Sequence, residues 1–263
     1  ELQLTTWGGN ITALEVDGNF DDCQRLVKQA FTDGELAKKL FLTSANSINV
    51  ARWLPQQLYY FFALQQWQSE QPPVISVPSG NFGNICAGLL ANKSGLPVEH
   101  FIAACNANDT VSAYLETGVY KPKNAVPTIS NAMDVGHPSN FVRILELFNQ
   151  QLQPLAAMLS SRTITDEDTR EVIASVYKQQ SYLLDPHGAV GYIALRDYLQ
   201  QHPGKKGFFL ETAHPVKFYD VVEPVIDKTI PLPDAISALS GKPKLAVAIA
   251  SDYEAVKNFL LTL

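Results

Sequence analysis

Apolar residues in this chain come in short runs broken by polar, glycine-containing turns, and the runs alternate between two periods. Val74, Ile75 and Val77 form a β-branched run, the pattern of a strand buried on both faces. That strand stops at Pro78. The turn Ser79-Gly80-Asn81-Phe82-Gly83-Asn84 follows, and Ile85 to Ala91 begins a helix. Gly95-Leu96-Pro97 is a helix stop. His100 to Ala104 (HFIAA) predicts a second strand, and Thr110 to Leu115 opens a helix that Gly118 ends. Upstream, Ile11 to Val16 predicts a strand. Asn19 or Asp21 caps a helix to about Phe31, with Cys23, Leu26, Val27 and Ala30 on one face. Leu40-Phe41-Leu42 predicts a short strand, and Asn49 to Gln68 a long aromatic-rich helix with Pro55 in its first two turns. Further helices are expected over 140–151, 166–180 and 189–201. A strand is expected at Gly207 to Leu210, then a mixed tail from Ile230 with a last helix near 252–261.

Strands alternating with helices imply an α/β fold with a mostly parallel sheet. Such sheets bind ligands beyond the carboxyl ends of their strands. Four polar turns are expected there: 44–47, 79–84, 106–110 and 211–215. The turn after Pro78 joins a strand, two glycines and a helix N-terminus, whose first N–H groups lack partners and favour an anion. Ser79 and Asn81 are candidate side-chain donors. The stretch is neither GxxxxGK[ST] nor GxGxxG. On its residues alone it reads equally as a phosphate site or as an α/β turn without a ligand.

The length of 263 residues suits one large or two small domains. A net charge of −6 speaks against nucleic acid or an anionic membrane as partner. No apolar run is long enough to span a bilayer. The three cysteines, Cys23, Cys86 and Cys105, give neither a disulfide framework nor a zinc pattern, which suggests a reducing cytoplasm. The histidines show no metal spacing. His137, His187 and His214 sit beside prolines and read as structural. Cys86 reads as a buried inert thiol, the aromatic helix as core, and Lys121 and Lys123 as solvated. Asn131 and Asp134 read equally as supports of a site or as turn stabilisers. The chain starts at Glu1 without a methionine, so a piece of a longer protein is expected.

Seven stretches, in order, resemble threonine synthase of the bacterial and fungal branch. They are LTSANSINVAR (Leu42 to Arg52), VPSGNFGNICAGLL (Val77 to Leu90), Gly95-Leu96-Pro97, FIAACNANDT (Phe101 to Thr110), ISNAMDV (Ile129 to Val135), Pro138-Ser139-Asn140 and LETAHPVKF (Leu210 to Phe218). The resemblance covers nearly the whole chain and is weakest over 150–180 and after 220. It implies the fold type II, tryptophan synthase β-like architecture of pyridoxal phosphate (PLP) enzymes, with two α/β domains and the cofactor between them. It also implies conversion of O-phospho-L-homoserine and water to L-threonine and phosphate. PLP would act as electron sink while phosphate leaves from Cγ and water adds at Cβ. By the resemblance, Gly80, Asn81, Phe82, Gly83 and Asn84 cradle the PLP phosphate, and the Thr212 hydroxyl meets the pyridine nitrogen. Asn46, Ser47, Asn49 and Arg52 match a polar segment on the substrate side, with Arg52 the candidate partner of the substrate phosphate.

Two family motifs are missing. No lysine here lies in the Phe-Lys-Asp context of the Schiff-base lysine, and the Ser-Gly-Asp-Thr-Gly loop is absent. Lys217, in HPVKF, has nothing to mark it as that lysine. No catalytic residue is therefore assigned. The chain reads as a C-terminal part, truncated, with residues 1–43 from the smaller domain and 44–263 forming the larger, and with the N-terminal part of the same enzyme as its missing partner. Alone it is expected to be inactive. Two alternatives stand beside this: a lysine-less module that binds PLP or a phosphate metabolite, and another fold type II enzyme such as a serine/threonine dehydratase.

Overall fold

The computed structural model describes residues 2–46, 49–239 and 241–262. In chain order, helix α1 (Leu2–Trp7) leads to strand β1 (Ala13–Asp17), then α2 (Phe20–Thr32) and α3 (Leu36–Lys39). A 3-10 turn (Val50–Arg52) runs into α4 (Trp53–Gln65), followed by β2 (Val74–Pro78), α5 (Gly83–Lys93), β3 (His100–Cys105) and α6 (Thr110–Thr117). After α7 (Phe141–Leu147) and α8 (Leu152–Met158) come β4 (Leu159–Thr163), α9 (Asp166–Gln180), α10 (Pro186–Gln201), β5 (Gly207–Phe209) and α11 (Tyr219–Ile226). The chain closes with α12 (Asp234–Ser237), β6 (Ala246–Ala250) and α13 (Tyr253–Leu261).

These elements form two compact units. One is Ser44–Ile230; the other joins the residues before Ser44 to those from Pro231 onward. The residues from Pro231 onward, expected with the larger domain, group here with those before Ser44. The physical cause is a parallel ladder between distant segments, with Ala13 opposite Ala246 and Asp17 opposite Ala250. Lys257 also bridges Asp33 and Glu35, each at 3.0 Å. In the same unit α2 starts on a capping box, in which Asn19 and Asp22 exchange side-chain to backbone bonds at 3.1 Å. Leu26 and Ala30 are buried as its period predicts, whereas Val27 is exposed. The strand expected at Leu40–Leu42 does not form. Leu40 is extended but caps α3, and Phe41 is 98% exposed.

The unit Ser44–Ile230 is built on a four-stranded parallel sheet in the order β4-β3-β2-β5. Side chains alternate faces along a strand, so each strand serves two cores. Ile75 and Val77 of β2, with Phe101 and Ala103 of β3, pack with α4, α5, α6 and α7. Val74, Ile102 and Ala104 point the other way and pack with α9, α10 and α11. The result is three layers, helices on both faces of a buried parallel sheet. The aromatic helix α4 is shorter than expected, because its first turn is 3-10. Trp53 and Tyr60 are buried in the first core, while Leu58, Tyr59 and Phe62 are exposed. Strand β4 (LSSRT) and helix α8 were not expected. The expected helix 140–151 is α7 alone, stopped where Asn149 and Gln150 take positive φ. Helix α10 begins earlier than expected, because Asp185 caps it and Pro186 takes the first position.

Candidate functional site

The carboxyl end of β2 carries the site. Ser79 N–H continues the ladder to Ala104 O at 2.9 Å, and Leu210 N–H donates to Ser76 O at 3.0 Å. The chain segments after β2 and β5 are thereby set side by side. Phe82 makes the sharp entry to α5. It sits in the left-handed region (φ 61°, ψ 14°) with its ring buried on Phe141, the centroids 5.9 Å apart. Helix α5 then starts at Gly83, and its first N–H groups are the ones an α-helix leaves without internal acceptors.

A cavity of about 570 Å³ opens over this helix end. Gly80, Asn81, Phe82, Gly83 and Asn84 line it from one side and Thr212 from the loop after β5. Asn46 and Arg52 line it from the segment before α4. All six residues expected to hold a cofactor thus meet around one cavity, with two of the four expected on the substrate side. Asn49 is not among its lining residues. Its side chain caps the 3-10 turn instead, accepting from Ala51 N–H at 3.1 Å and donating to Ser44 O at 3.0 Å. Ser47 lies outside the described residues.

The Ser79 hydroxyl is used elsewhere, and Asn81 is engaged through its acceptors. Ser79 Oγ donates to Val77 O at 2.8 Å, back into its own strand. Asn81 Oδ1 accepts from Ser139 N–H at 2.6 Å and Ser139 Oγ at 3.0 Å, and Asn140 Nδ2 donates to Asn81 O at 3.0 Å. The Pro138-Ser139-Asn140 stretch therefore clamps the turn from behind. Asn84 is held by the buried Tyr60 hydroxyl, 2.8 Å from its Oδ1. The turn's polar side chains fix its shape, and backbone N–H groups remain the natural anion donors.

The other polar turns divide. The turn 106–110 does not line the cavity. Asn106 and Asn108 Nδ2, at 2.9 and 3.0 Å, and Thr128 Oγ1, at 2.7 Å, all donate to Asp134 Oδ1. Asp134 is thus a loop organiser, its carboxyl pushed up by burial against those bonds. Lys123 pairs with Asp109 and donates to Ala107 O at 3.1 Å, so it is tied down rather than simply solvated. His214 accepts from Val216 N–H at 3.1 Å and shapes the turn before α11.

Sequence reasoning missed Gln56, Ala132, Met133 and His187, which also line the cavity. His187 is not in a loop but in the first turn of α10, 3% exposed. Its neighbouring Asp185, an Asp-Pro helix start, was the one signal that could have found it. Cys86, on α5, is buried and its thiol is pushed up to about 12 by burial, as an inert thiol should be. Among the described residues no group of three or more His, Cys, Asp or Glu is placed to hold a metal, and no helix is long and apolar enough to cross a membrane.

A helix N-terminus at the end of a parallel α/β sheet, Thr212 and Arg52 thus line one cavity. The chain belongs to the pyridoxal-phosphate dependent enzyme family, whose model matches residues 1–210. Within that class its likeness is to threonine synthases: a second family model, threonine synthase, C-terminal, matches residues 188–260. The chain is 46% identical to the threonine synthase of Serratia marcescens over 265 residues, covering 100% of this chain and 61% of that protein. Threonine synthase from Escherichia coli superposes with a TM-score of 0.93 at 45% identity, over 99% of this chain and 61% of that one. PLP-bound threonine synthase from Brucella melitensis gives 0.84 at 34% identity, over 98% and 61%. The architecture is the fold type II one, and the chain spans about 60% of the length of the curated relatives it matches.

Proposed function

We propose that this chain supplies the cofactor-phosphate cradle of a PLP-dependent threonine synthase, which converts O-phospho-L-homoserine and water to L-threonine and phosphate. One observation carries the reading: the N-terminus of α5 with Gly80–Asn84, and Thr212 from another strand end, line one cavity. The cavity's volume is of the size that holds a cofactor and small substrate. Its donor set suits a dianion, because backbone N–H groups at a helix end offer positive potential without a charged side chain to desolvate.

In this reading Gly83 and Asn84 N–H groups bind the cofactor phosphate, and the Thr212 hydroxyl meets the ring nitrogen. A neutral hydroxyl there leaves that nitrogen largely unprotonated. Bound PLP supplies an electron sink for carbanion chemistry. Arg52 is the one permanently charged side chain among the described lining residues, and in this reading it holds the substrate phosphate by two bonds. Asn46 orients the substrate beside it, and Ser47 and Asn49 belong to the same segment. A cytoplasmic setting fits the three free thiols.

The test uses the full-length enzyme carrying this chain. Phosphate release from O-phospho-L-homoserine should require PLP, and Arg52→Ala should raise KM for that substrate far more than it alters PLP affinity. Turnover of serine or threonine in place of phosphohomoserine would contradict the reading. The 263-residue chain alone should bind PLP without forming a borohydride-reducible bond to a specific lysine, since no Phe-Lys-Asp is present.

A further inference from the structure

Helix α10 begins on a buried carboxylate with several partners. Asp185 Oδ1 accepts from His187 N–H at 2.8 Å and lies 2.7 Å from His187 Nδ1. Ala132 N–H donates to His187 Nε2 at 3.2 Å, so the ring proton sits on Nδ1 and is given to Asp185. Both ring nitrogens are engaged, and the ring packs on Phe218 with centroids 4.6 Å apart. The line of bonds ends beside Met133, whose Cα lies 2.6 Å from where a Cβ on Gly80 would stand.

The other end of the line is a second acid. Asp185 is fully buried, and no N–H or O–H donor reaches its Oδ2 among the described residues. The Glu211 carboxyl faces the Asp185 carboxyl. It also lies against Gly188, where a Cβ would fall within 2.3–2.4 Å of its carboxyl atoms. Two carboxylates in such contact repel when both are ionised, and one shared proton relieves the conflict.

We propose that Asp185 and Glu211 share one proton, and that this pair, acting through His187, is the positioning device that holds the Ala132–Met133 main chain over Gly80 and so sets the cradle. His187 is a positioning residue here, with no lone pair to spare for chemistry. Burial, the hydrogen bond to Asp185 and its charge push the Glu211 carboxyl up to about 9. Burial raises the Asp185 carboxyl, but the bonds to His187 and Glu211 outweigh it and hold Asp185 lowered and ionised. The titratable groups facing the pair are His187 and Tyr182, the latter raised mainly by its own burial and also by both carboxyls. Glu211 as a residue is exposed, with its carboxyl turned in against Gly188, which lets the proton exchange.

The folded state then holds one proton more than the unfolded chain between the ordinary glutamate value of 4.5 and about 9. Its contribution to stability is complete below that window and is lost as pH rises through it. Above the window the pair carries two charges and the turn over Gly80 loosens.

The binding half of this inference rests on the proposed cofactor site; the stability half does not. The experiment compares the full-length protein with its Glu211→Gln and His187→Asn variants, using thermal melts across the window and PLP titrations at about pH 7 and about pH 10. Wild-type Tm should fall with pH relative to Glu211→Gln, and the alkaline loss of PLP affinity should be about tenfold greater in wild type. His187→Asn keeps a donor for Asp185 but loses the acceptor for Ala132. It should retain the Tm slope and lose the affinity effect. Identical pH profiles for wild type and Glu211→Gln would overturn the shared proton, and an affinity effect surviving in His187→Asn would overturn the relay. Absence of PLP binding at both pH values would sink the cofactor reading instead, with the melts still testing the pair.

Discussion

The main chain of Met133 lies against Gly80 so closely that a Cβ on Gly80 would stand 2.6 Å from Met133 Cα and 3.1 Å from Ala132 O. The obstacle is backbone, which cannot swing aside. Gly80→Ala should therefore push the two turns apart, costing about 1–3 kcal/mol of stability as overpacking does. It should also weaken PLP binding. Chemical denaturation and a PLP titration of the variant check both effects together.

Phe82 occupies a left-handed conformation that glycine would adopt without strain, yet it is 3% exposed and packed on Phe141. Phe82→Gly would relieve about 1 kcal/mol of backbone strain and forfeit about 3–5 kcal/mol of buried aromatic packing. Packing wins, so the variant should be less stable by about 2 kcal/mol or more. Urea denaturation decides it, and a stabilised variant would show that the ring contributes little.

Arg52 and lysine differ in geometry more than in charge. If the guanidinium holds the substrate phosphate with two bonds, Arg52→Lys in the full-length enzyme should raise KM about tenfold to a hundredfold, one charge-assisted bond being worth about 1.5–3 kcal/mol. PLP affinity should stay within about twofold of wild type if, as proposed, that phosphate is held by the α5 N-terminus. Steady-state kinetics and a parallel PLP titration separate the two.

The thiols give a check on the cores that is independent of function. Burial pushes Cys105 up to about 11 and Cys86 to about 12. Cys23, in the other unit, is partly open. A thiol reagent added to the native 263-residue chain at mildly alkaline pH should label Cys23 alone, and all three cysteines after denaturation.

The sheet's centre was legible because VISVP and HFIAAC are fully buried strands whose composition leaves little choice. The edge was not. Strand β4 reads Leu-Ser-Ser-Arg-Thr, and only its register against Phe101–Cys105 makes it a strand. The tail was misplaced for a related reason: β6 pairs with β1 across most of the chain's length, and no local pattern announces such a partner. That Gly80–Asn84 and Thr212 line one cavity was foreshadowed by turn chemistry and motif resemblance. Met133 and His187 could not be foreseen, because they reach the cavity through packing of α10 and the Asn131–Met133 turn against the sheet's end. Nor could the bonds of Ser79 Oγ to Val77 O and of Asn81 Oδ1 to Ser139 be read from the turn's composition.

The most direct measurement is a crystal structure of the full-length protein with PLP bound. The cofactor phosphate should accept hydrogen bonds from the Gly83 and Asn84 N–H groups, with the ring nitrogen at Thr212 Oγ1. A phosphate bound away from the α5 N-terminus, or a ring turned so that Thr212 meets another atom, would contradict the account.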